Sequence, residues 1–276
     1  MVQKLSDKIV IKNCPNFVPR DVLECGQVFR YKKTQEGYVV FSRDKMAKVL
    51  CVGDEIHVET NDVDYFYHYF DLETNYQDAI DQLTKHGEVM KLACDYGKGI
   101  RILNQDVYEM TISFVISANN NIKRIQQIIE KLCIALGSKT DFGYAFPTLD
   151  QLCLGDEQLF KNIGAGYRAK YLVKLAQELR HFDLDSLKEM DSATARKKLL
   201  TLSGVGPKVA DCILLFGANA KDVFPTDTWI KKVYHQHFES GLGDGQISSY
   251  FVEKFGSLSG LAQQYLFYFQ RKYLQS

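Results

Sequence analysis

The hydrophobic period of this chain changes once, near residue 60, and that single change limits the folds open to it. Before it, residues 9–11, 27–32, 38–42, 47–52 and 55–60 form short runs rich in β-branched and aromatic side chains, the pattern of strands. Gly53-Asp54 separates the last two as a two-residue hairpin turn. After Asn61 the spacing is helical, over 62–71 and 76–95. Past the turn Gly97-Lys98-Gly99 it continues over 106–118, 122–136, 149–154, 157–163, 168–182, 193–202, 207–216, 228–238, 247–255 and 258–273. Thr148, Ser192 and Asp227 are expected helix caps. The order predicts an α+β chain: an N-terminal antiparallel sheet domain with flanking helices, residues 1–97, then a larger all-helical domain, residues 98–276. The helices at 62–71 and 76–95 should cover the sheet, since one of its faces must be buried. The aromatic run Tyr65–Phe70 should serve packing, and His68 should be a packed histidine, not a ligand.

Composition narrows the class of function. With 34 basic and 34 acidic residues the formal net charge is zero, which argues against an indiscriminate nucleic-acid coat. Local basic stretches remain, at 161–174 and at Arg271-Lys272. Seven cysteines lie scattered, with no Cys-x-x-Cys, so free thiols in a reducing cytoplasm are expected, and no iron–sulfur cluster. Neither a signal peptide nor a run long enough to span a membrane is visible. The expectation is a soluble monomer in the cytoplasm, at the nucleoid if the source is prokaryotic.

Within the helical half, Leu199 to Asp211 reads as a helix, a turn and a second helix. Gly204 and Gly206 bracket Val205 and supply the backbone freedom of a tight turn, and Pro207 suits the first turn of the helix that follows. The exposed amides of such a start form an anion site fit for a nucleic-acid phosphate. Lys208 stands one residue further on, and Asp227 opens another helix nineteen residues later. Singly, these features have plainer readings: a solvated lysine, an N-cap aspartate, a common Gly-x-Gly turn.

Together, Leu-x-Gly-Val-Gly-Pro-Lys-Val-Ala-Asp-Cys followed by Pro-Thr-Asp resembles the helix-hairpin-helix superfamily of DNA glycosylases, with the motif at about 193–217. Lys208 resembles the mark of its bifunctional glycosylase/lyases. Over residues 20 to 274 the chain looks like the 8-oxoguanine DNA glycosylase/AP lyase family. The resemblance implies that Lys208 attacks C1′ of the damaged nucleotide, displaces the base and leaves an imine that permits β-elimination. Asp227 would stabilise positive charge on the sugar.

Four further stretches carry the resemblance. In Cys25-Gly26-Gln27-Val28-Phe29-Arg30 it implies that the Gly26 carbonyl accepts from the N7–H that 8-oxoguanine has and guanine lacks. In Ser117-Ala118-Asn119-Asn120-Asn121-Ile122-Lys123-Arg124 it implies that Asn119 fills the gap left by the flipped nucleotide and Arg124 reads the opposite base. In Gly164 to Ala169 it implies a duplex wedge, Tyr167, and a cytosine contact, Arg168. In Ala262-Gln263-Gln264-Tyr265-Leu266-Phe267 it implies that Gln263 bonds the Watson–Crick edge and that Phe267 stacks on the base opposite Cys212. Gly204, Val205 and Gly206 would grip phosphate. The expected partner is double-stranded DNA containing oxidised guanine, preferentially opposite cytosine. No cofactor or metal is expected beyond a monovalent cation that the hairpin carbonyls could hold.

Trp229 stands where better-studied members tend to have a phosphate-contacting histidine, Phe216 where they tend to have methionine, and the linker at 241–246 is short. Two other readings compete. An alkylated-base glycosylase of the same superfamily would use the aspartate but normally lacks the lysine. A non-catalytic helix-hairpin-helix module would leave Asp227, Gly26 and Gln263 without purpose.

Overall fold

The computed structural model describes residues 1–14, 16–238 and 241–272. Its elements, in order, are β1 (Val2–Lys4), β2 (Lys8–Lys12), α1 (Pro19–Glu24), β3 (Tyr31–Lys33), β4 (Gly37–Ser42), β5 (Lys45–Val52), β6 (Glu55–Thr60) and α2 (Val63–Tyr69). Then come α3 (Gln77–Leu83), α4 (Glu88–Tyr96), α5 (Val107–Ser117), α6 (Ile122–Leu136), and a two-strand hairpin of β7 (Lys139–Thr140) and β8 (Gly143–Tyr144). The remainder is helical: α7 (Leu149–Leu152), α8 (Glu157–Asn162), α9 (Ala169–Glu178), α10 (Ser192–Leu199), α11 (Pro207–Gly217), α12 (Thr228–His237), α13 (Ile247–Phe255) and α14 (Ser259–Lys272).

The first six strands form one antiparallel sheet in the order β1-β2-β6-β5-β4-β3. Val52 pairs with Glu55, so Gly53-Asp54 is the whole turn, and Gly53 takes the positive φ of +58° that such turns require. Alternate residues of β4 and β5, among them Tyr38, Val40, Ala47 and Val49, point into an apolar core shared with Phe66, Tyr69 and Phe70 of the α2 region. Those rings meet edge to face, so the aromatic run is packing, as its spacing suggests. His68 differs from expectation: its side chain is exposed.

Other departures have local causes. Residues 27–30 do not extend β3, because Gly26 turns the chain at φ +98° and buried Gln27 is tied elsewhere. Gln27 Nε2 donates to the Arg101 carbonyl at 2.7 Å, and its Oε1 accepts from Leu103 N at 2.9 Å. Asp191, not Ser192, caps α10, accepting from Thr194 N. Thr148 caps α7 in a reciprocal pair with Gln151. The hairpin β7–β8, β1 and α1 carry too few periodic residues to be visible beforehand. Residue 273, the expected end of the last helix, lies outside the described residues.

A division of the chain after residue 97 does not coincide with the division between its two apolar cores. Of the two helical stretches expected to cover the sheet, α2 does so, beside Val22 and Leu23 of α1. Ile80, Leu83, Met90 and Ala93 of α3 and α4 belong instead to the large helical core, with α14 packed on α4. Cys25 and Phe29 of the loop after α1 also join that core. The sheet thus hands one loop to the helical half.

Arg30 pins that loop. Its Nη2 donates to the Tyr144 carbonyl at 2.9 Å, and its Nη1 lies 3.4 Å from the buried Glu109 carboxylate at the start of α5. Burial pushes the Glu109 carboxyl up, while Arg30 and the Arg43 amide pull it down. Arg30→Ala removes the compensating charge from a buried acid. Urea denaturation should show a loss of about 3–5 kcal/mol, the usual cost of breaking such a pair, with Glu109→Gln costing less.

Candidate active site

The second helix of the hairpin presents Lys208 in its first turn. The turn before it is held from outside: Glu178 of α9 accepts from the Ser203 amide and hydroxyl, both at 2.7 Å. Gly204 has φ +83°, and a Cβ there would lie 3.0 Å from both Tyr171 and Val115, so a left-handed, closely packed position excludes other residues. At Gly206, the N-cap of α11, nothing stands within 4 Å of a Cβ, so its backbone faces open space. A donor-rich helix start facing open space suits a phosphate.

The half-buried Lys208 side chain places Nζ 5.4 Å above the Phe114 ring of α5. Phe114 stacks on Phe216 at 5.4 Å and meets Phe29 edge to face. One turn along α11, Cys212 is buried, and burial pushes its thiol up to about 11, against the pull of the Lys208 amino group beside it. Asp227 acts on the same thiol in the opposite sense, so all three groups share one locality. Asp227 is also the N-cap of α12, its Oδ1 accepting from Trp229 N and Ile230 N at 3.0 Å each. Trp229 is half-buried, with Lys232 Nζ 4.7 Å over its ring.

The base-recognition candidates converge on one face of α14. Gln263, Phe267 and Arg271 recur every four residues, so they lie above one another. Gln263 is 5% exposed, and its Oε1 has no hydrogen-bond partner among the described residues. A Cβ at Gly26 would lie 3.0 Å from Phe267 Cε1, which puts the Gly26 backbone against that ring. The loop is fixed there by α14 itself: Gln264 Nε2 donates to the Cys25 carbonyl at 3.0 Å, and Arg271 Nη2 donates to the Glu24 carbonyl.

A second cleft, of about 400 Å³, gathers Asn119, Tyr167 and Arg168 with Gly204, Val205 and Gly206. Asn119 holds φ +49° and donates from Nδ2 to the Tyr167 hydroxyl at 3.4 Å, and Tyr167 is 56% exposed. Arg124 is exposed and reaches the Gly164 carbonyl at 3.4 Å. Arg168 stands differently from the reader the sequence suggests. It is 4% exposed, and its guanidinium donates to the carbonyls of Ala118, Asn119 and Ala165. In this structure it braces the two loops together. A roomier cleft, about 510 Å³ between β3–β4 and α6, shares Phe29 with this region but is not lined by Lys208, Phe114, Cys212 or Asp227.

The sequence did not point to Gln27, Gln264, Phe114 or Glu178, and it marked Arg271 only as part of a locally basic tail. The first two sit inside stretches already singled out, but their polarity did not reveal which carbonyl each would hold. Phe114 and Glu178 gave no signal, because only the tertiary fold brings them to the hairpin.

A hairpin with a lysine at its head, a helix-capping aspartate beside it and a slot for a planar ring define a DNA base-excision protein of the helix-hairpin-helix type. Comparison places it further. Residues 9–111 match the 8-oxoguanine DNA glycosylase N-terminal domain, and residues 112–248 match the HhH-GPD superfamily of base excision DNA repair proteins. The chain is 30% identical to the N-glycosylase/DNA lyase OGG1 of Arabidopsis thaliana, over 88% of this chain and 74% of that protein. A Clostridium acetobutylicum 8-oxoguanine glycosylase/lyase, solved with double-stranded DNA containing cytosine opposite 8-oxoguanine, superposes with a TM-score of 0.93 at 35% identity, covering 99% of this chain and 98% of that one. A 3-methyladenine DNA glycosylase from Archaeoglobus fulgidus shares the fold at a TM-score of 0.73 and 18% identity, covering 96% of this chain and 98% of that one. The chain belongs to the 8-oxoguanine DNA glycosylase/lyase family.

The raised pKa of Cys212 has a chemical consequence. At pH 8 only about one thiol in a thousand is thiolate, and thiolate is the reactive form. Iodoacetamide at pH 8, followed by peptide mass mapping, should label exposed Cys51 in the native protein and reach Cys212 only after unfolding.

Proposed function

We propose that the residues gathered around Lys208 excise 8-oxoguanine from duplex DNA and then cut the strand. The observation that carries this reading is Lys208 at the head of α11 with its Nζ over Phe114, together with the Gly26 backbone packed against the Phe267 ring. Tyr167 wedges the duplex while Asn119 occupies the space vacated by the flipped nucleotide, and Gly204 to Gly206 hold a backbone phosphate. Extrusion costs a few kcal/mol, less for a damaged base. The base stacks between Phe267 and Cys212, its Watson–Crick edge on the Gln263 amide, whose Oε1 has no partner among the described residues. The Gly26 carbonyl accepts from N7–H. Guanine would set its own N7 acceptor against that carbonyl, an unpaired and repulsive contact.

In the chemical step the neutral Lys208 amine forms an N–C1′ bond as the C1′–N9 bond breaks, and the base leaves with a proton. Asp227 stabilises the positive charge that builds on the sugar. Both of its cap bonds fall on Oδ1, which fixes the carboxylate before the reaction starts. The sugar ring then opens: C1′–O4′ breaks, the remaining amine proton passes to O4′, and C1′ becomes an imine, which acidifies the C2′ proton. Loss of that proton breaks C3′–O3′ and expels the 3′ phosphate. No metal or redox cofactor enters these steps, and a monovalent cation at the hairpin carbonyls would serve only the phosphate grip. The protein would act as a monomer in the compartment that holds the DNA, the cytoplasm. The fold is common to alkylated-base glycosylases, so it does not separate the two chemistries. Lys208 and the Gly26–Phe267 contact do.

Borohydride trapping on a duplex with one 8-oxoguanine opposite cytosine should give a covalent adduct with wild type and none with Lys208→Gln. Near-normal base release by that variant would remove the nucleophile assignment. Asp227→Asn keeps a good N-cap but loses the charge, so single-turnover excision should fall roughly 100-fold or more with little change in melting temperature. An equal loss of stability would instead mean that Asp227 is only a cap. A specific base contact carries about 1–3 kcal/mol of discrimination. Arg124→Ala should therefore erode the preference for cytosine opposite the lesion, and an unchanged ratio across the four opposite bases would exclude Arg124 as reader.

A further inference from the structure

Arg271 has no task in the mechanism above, yet it stands in the recognition slot. Its guanidinium carbon lies 5.0 Å from the centre of the Phe267 ring. Nη1 would be 2.9 Å from a Cβ at Gly26, so the cation touches the glycine that is to read N7–H. Nη2 donates to the Glu24 carbonyl, whereas Nη1 is buried and has no hydrogen-bond partner among the described residues. A buried cationic N–H without an acceptor is costly, which makes the position worth explaining.

Gln263 and Arg271 flank Phe267 on one helix face, each roughly 6 Å along the axis from it. Gln263 Oε1 is also buried and unpartnered. A purine stacked on Phe267 therefore meets an unsatisfied amide at one end and an unsatisfied guanidinium donor at the other. With the Watson–Crick edge turned to Gln263, the five-membered edge faces Arg271 and Gly26. On that edge 8-oxoguanine carries N7–H and the O8 carbonyl side by side, where guanine carries a bare N7 and C8–H.

We propose that Arg271 is a further specificity-determining residue whose Nη1 donates to O8 while the Gly26 carbonyl accepts from N7–H. The proposal rests on the base orientation given above. Both groups that oxidation adds to guanine are then read, one by an acceptor and one by a donor. The bond to the Glu24 carbonyl holds the guanidinium in place before the base arrives, so little reorganisation is needed. A cation at O8 also stabilises the negative charge the base takes up as C1′–N9 breaks.

The test compares 8-oxoguanine with 8-thioguanine, each opposite cytosine, in single-turnover release and in duplex affinity. The thione form of the second lesion keeps N7–H but replaces O8 by sulfur, a weak acceptor. Arg271→Leu should slow release of 8-oxoguanine roughly 10- to 100-fold, the range for a hydrogen bond to a charged group, and affect 8-thioguanine far less. The wild-type preference for oxygen over sulfur should then collapse. Equal losses on both lesions, or no loss, overturn the proposal. Arg271→Gln retains one donor for the Glu24 carbonyl but no charge, and it is judged by the same ratio should the leucine variant not fold. Wild type that releases neither lesion would overturn the site reading and this proposal with it, whereas normal wild-type release beside an unaltered Arg271→Leu overturns Arg271 alone.

Discussion

Two hydrogen bonds join the beginning of this chain to its end and, with others, hold one wall of the recognition slot in place. Gln264 holds the Cys25 carbonyl and Arg271 the Glu24 carbonyl, across 239 and 247 residues of sequence. Tyr268 adds a third tie, donating to the buried Asp21 carboxylate at 3.2 Å. These bonds press the left-handed Gly26 against Phe267, so the glycine proposed to test a base and the ring proposed to support it sit on opposite halves of the chain but form one wall. Gln27 anchors the other side of the loop through Arg101 and Leu103. A loop fixed at both flanks loses little entropy when a ligand arrives, which is what selective binding requires.

The hairpin follows the same logic with different partners. Its turn is short because Glu178 bonds Ser203 twice and because Gly204 leaves no room for a side chain. A rigid turn keeps Lys208 over Phe114 and Cys212, and it lets the α11 amides point at a fixed place. Asp227 caps α12, and in the proposed mechanism a carboxylate held by two backbone amides is already oriented when the sugar develops its charge.

Much of this was legible in the sequence, for identifiable reasons. The sheet, its Gly53-Asp54 turn and the long helices announce themselves by period and by backbone-permissive residues. The hairpin is legible because glycine, proline and lysine at fixed offsets leave few alternatives. The placement of α3 and α4 was not legible, since an amphipathic helix shows that it has an apolar face but not which core receives it. Arg168 illustrates a different limit. Its neighbours mark a loop facing DNA, but whether its guanidinium meets a base or the protein's own carbonyls depends on where Ala118 and Asn119 end α5, which no local pattern encodes. Gln264 was obscured by Gln263: of two adjacent glutamines, the helix turns one to the base slot and the other to the Cys25 carbonyl.

The arginines explain how a chain of zero net charge can select a site on DNA. Arg30, Arg101 and Arg168 are buried in carbonyl contacts, and Arg271 is held on the Glu24 carbonyl. That takes four of the nine arginines away from the phosphates and leaves backbone neutralisation mainly to the lysines. The exposed polar groups of the second cleft, Tyr167 and Asn119 beside Arg124, are suited to a distorted duplex more than to a regular one. An arginine spent on shaping loops can serve discrimination at a lesion without adding to affinity for every phosphate. For a protein that must pass over undamaged DNA, the balance between those two quantities governs how fast it finds its target.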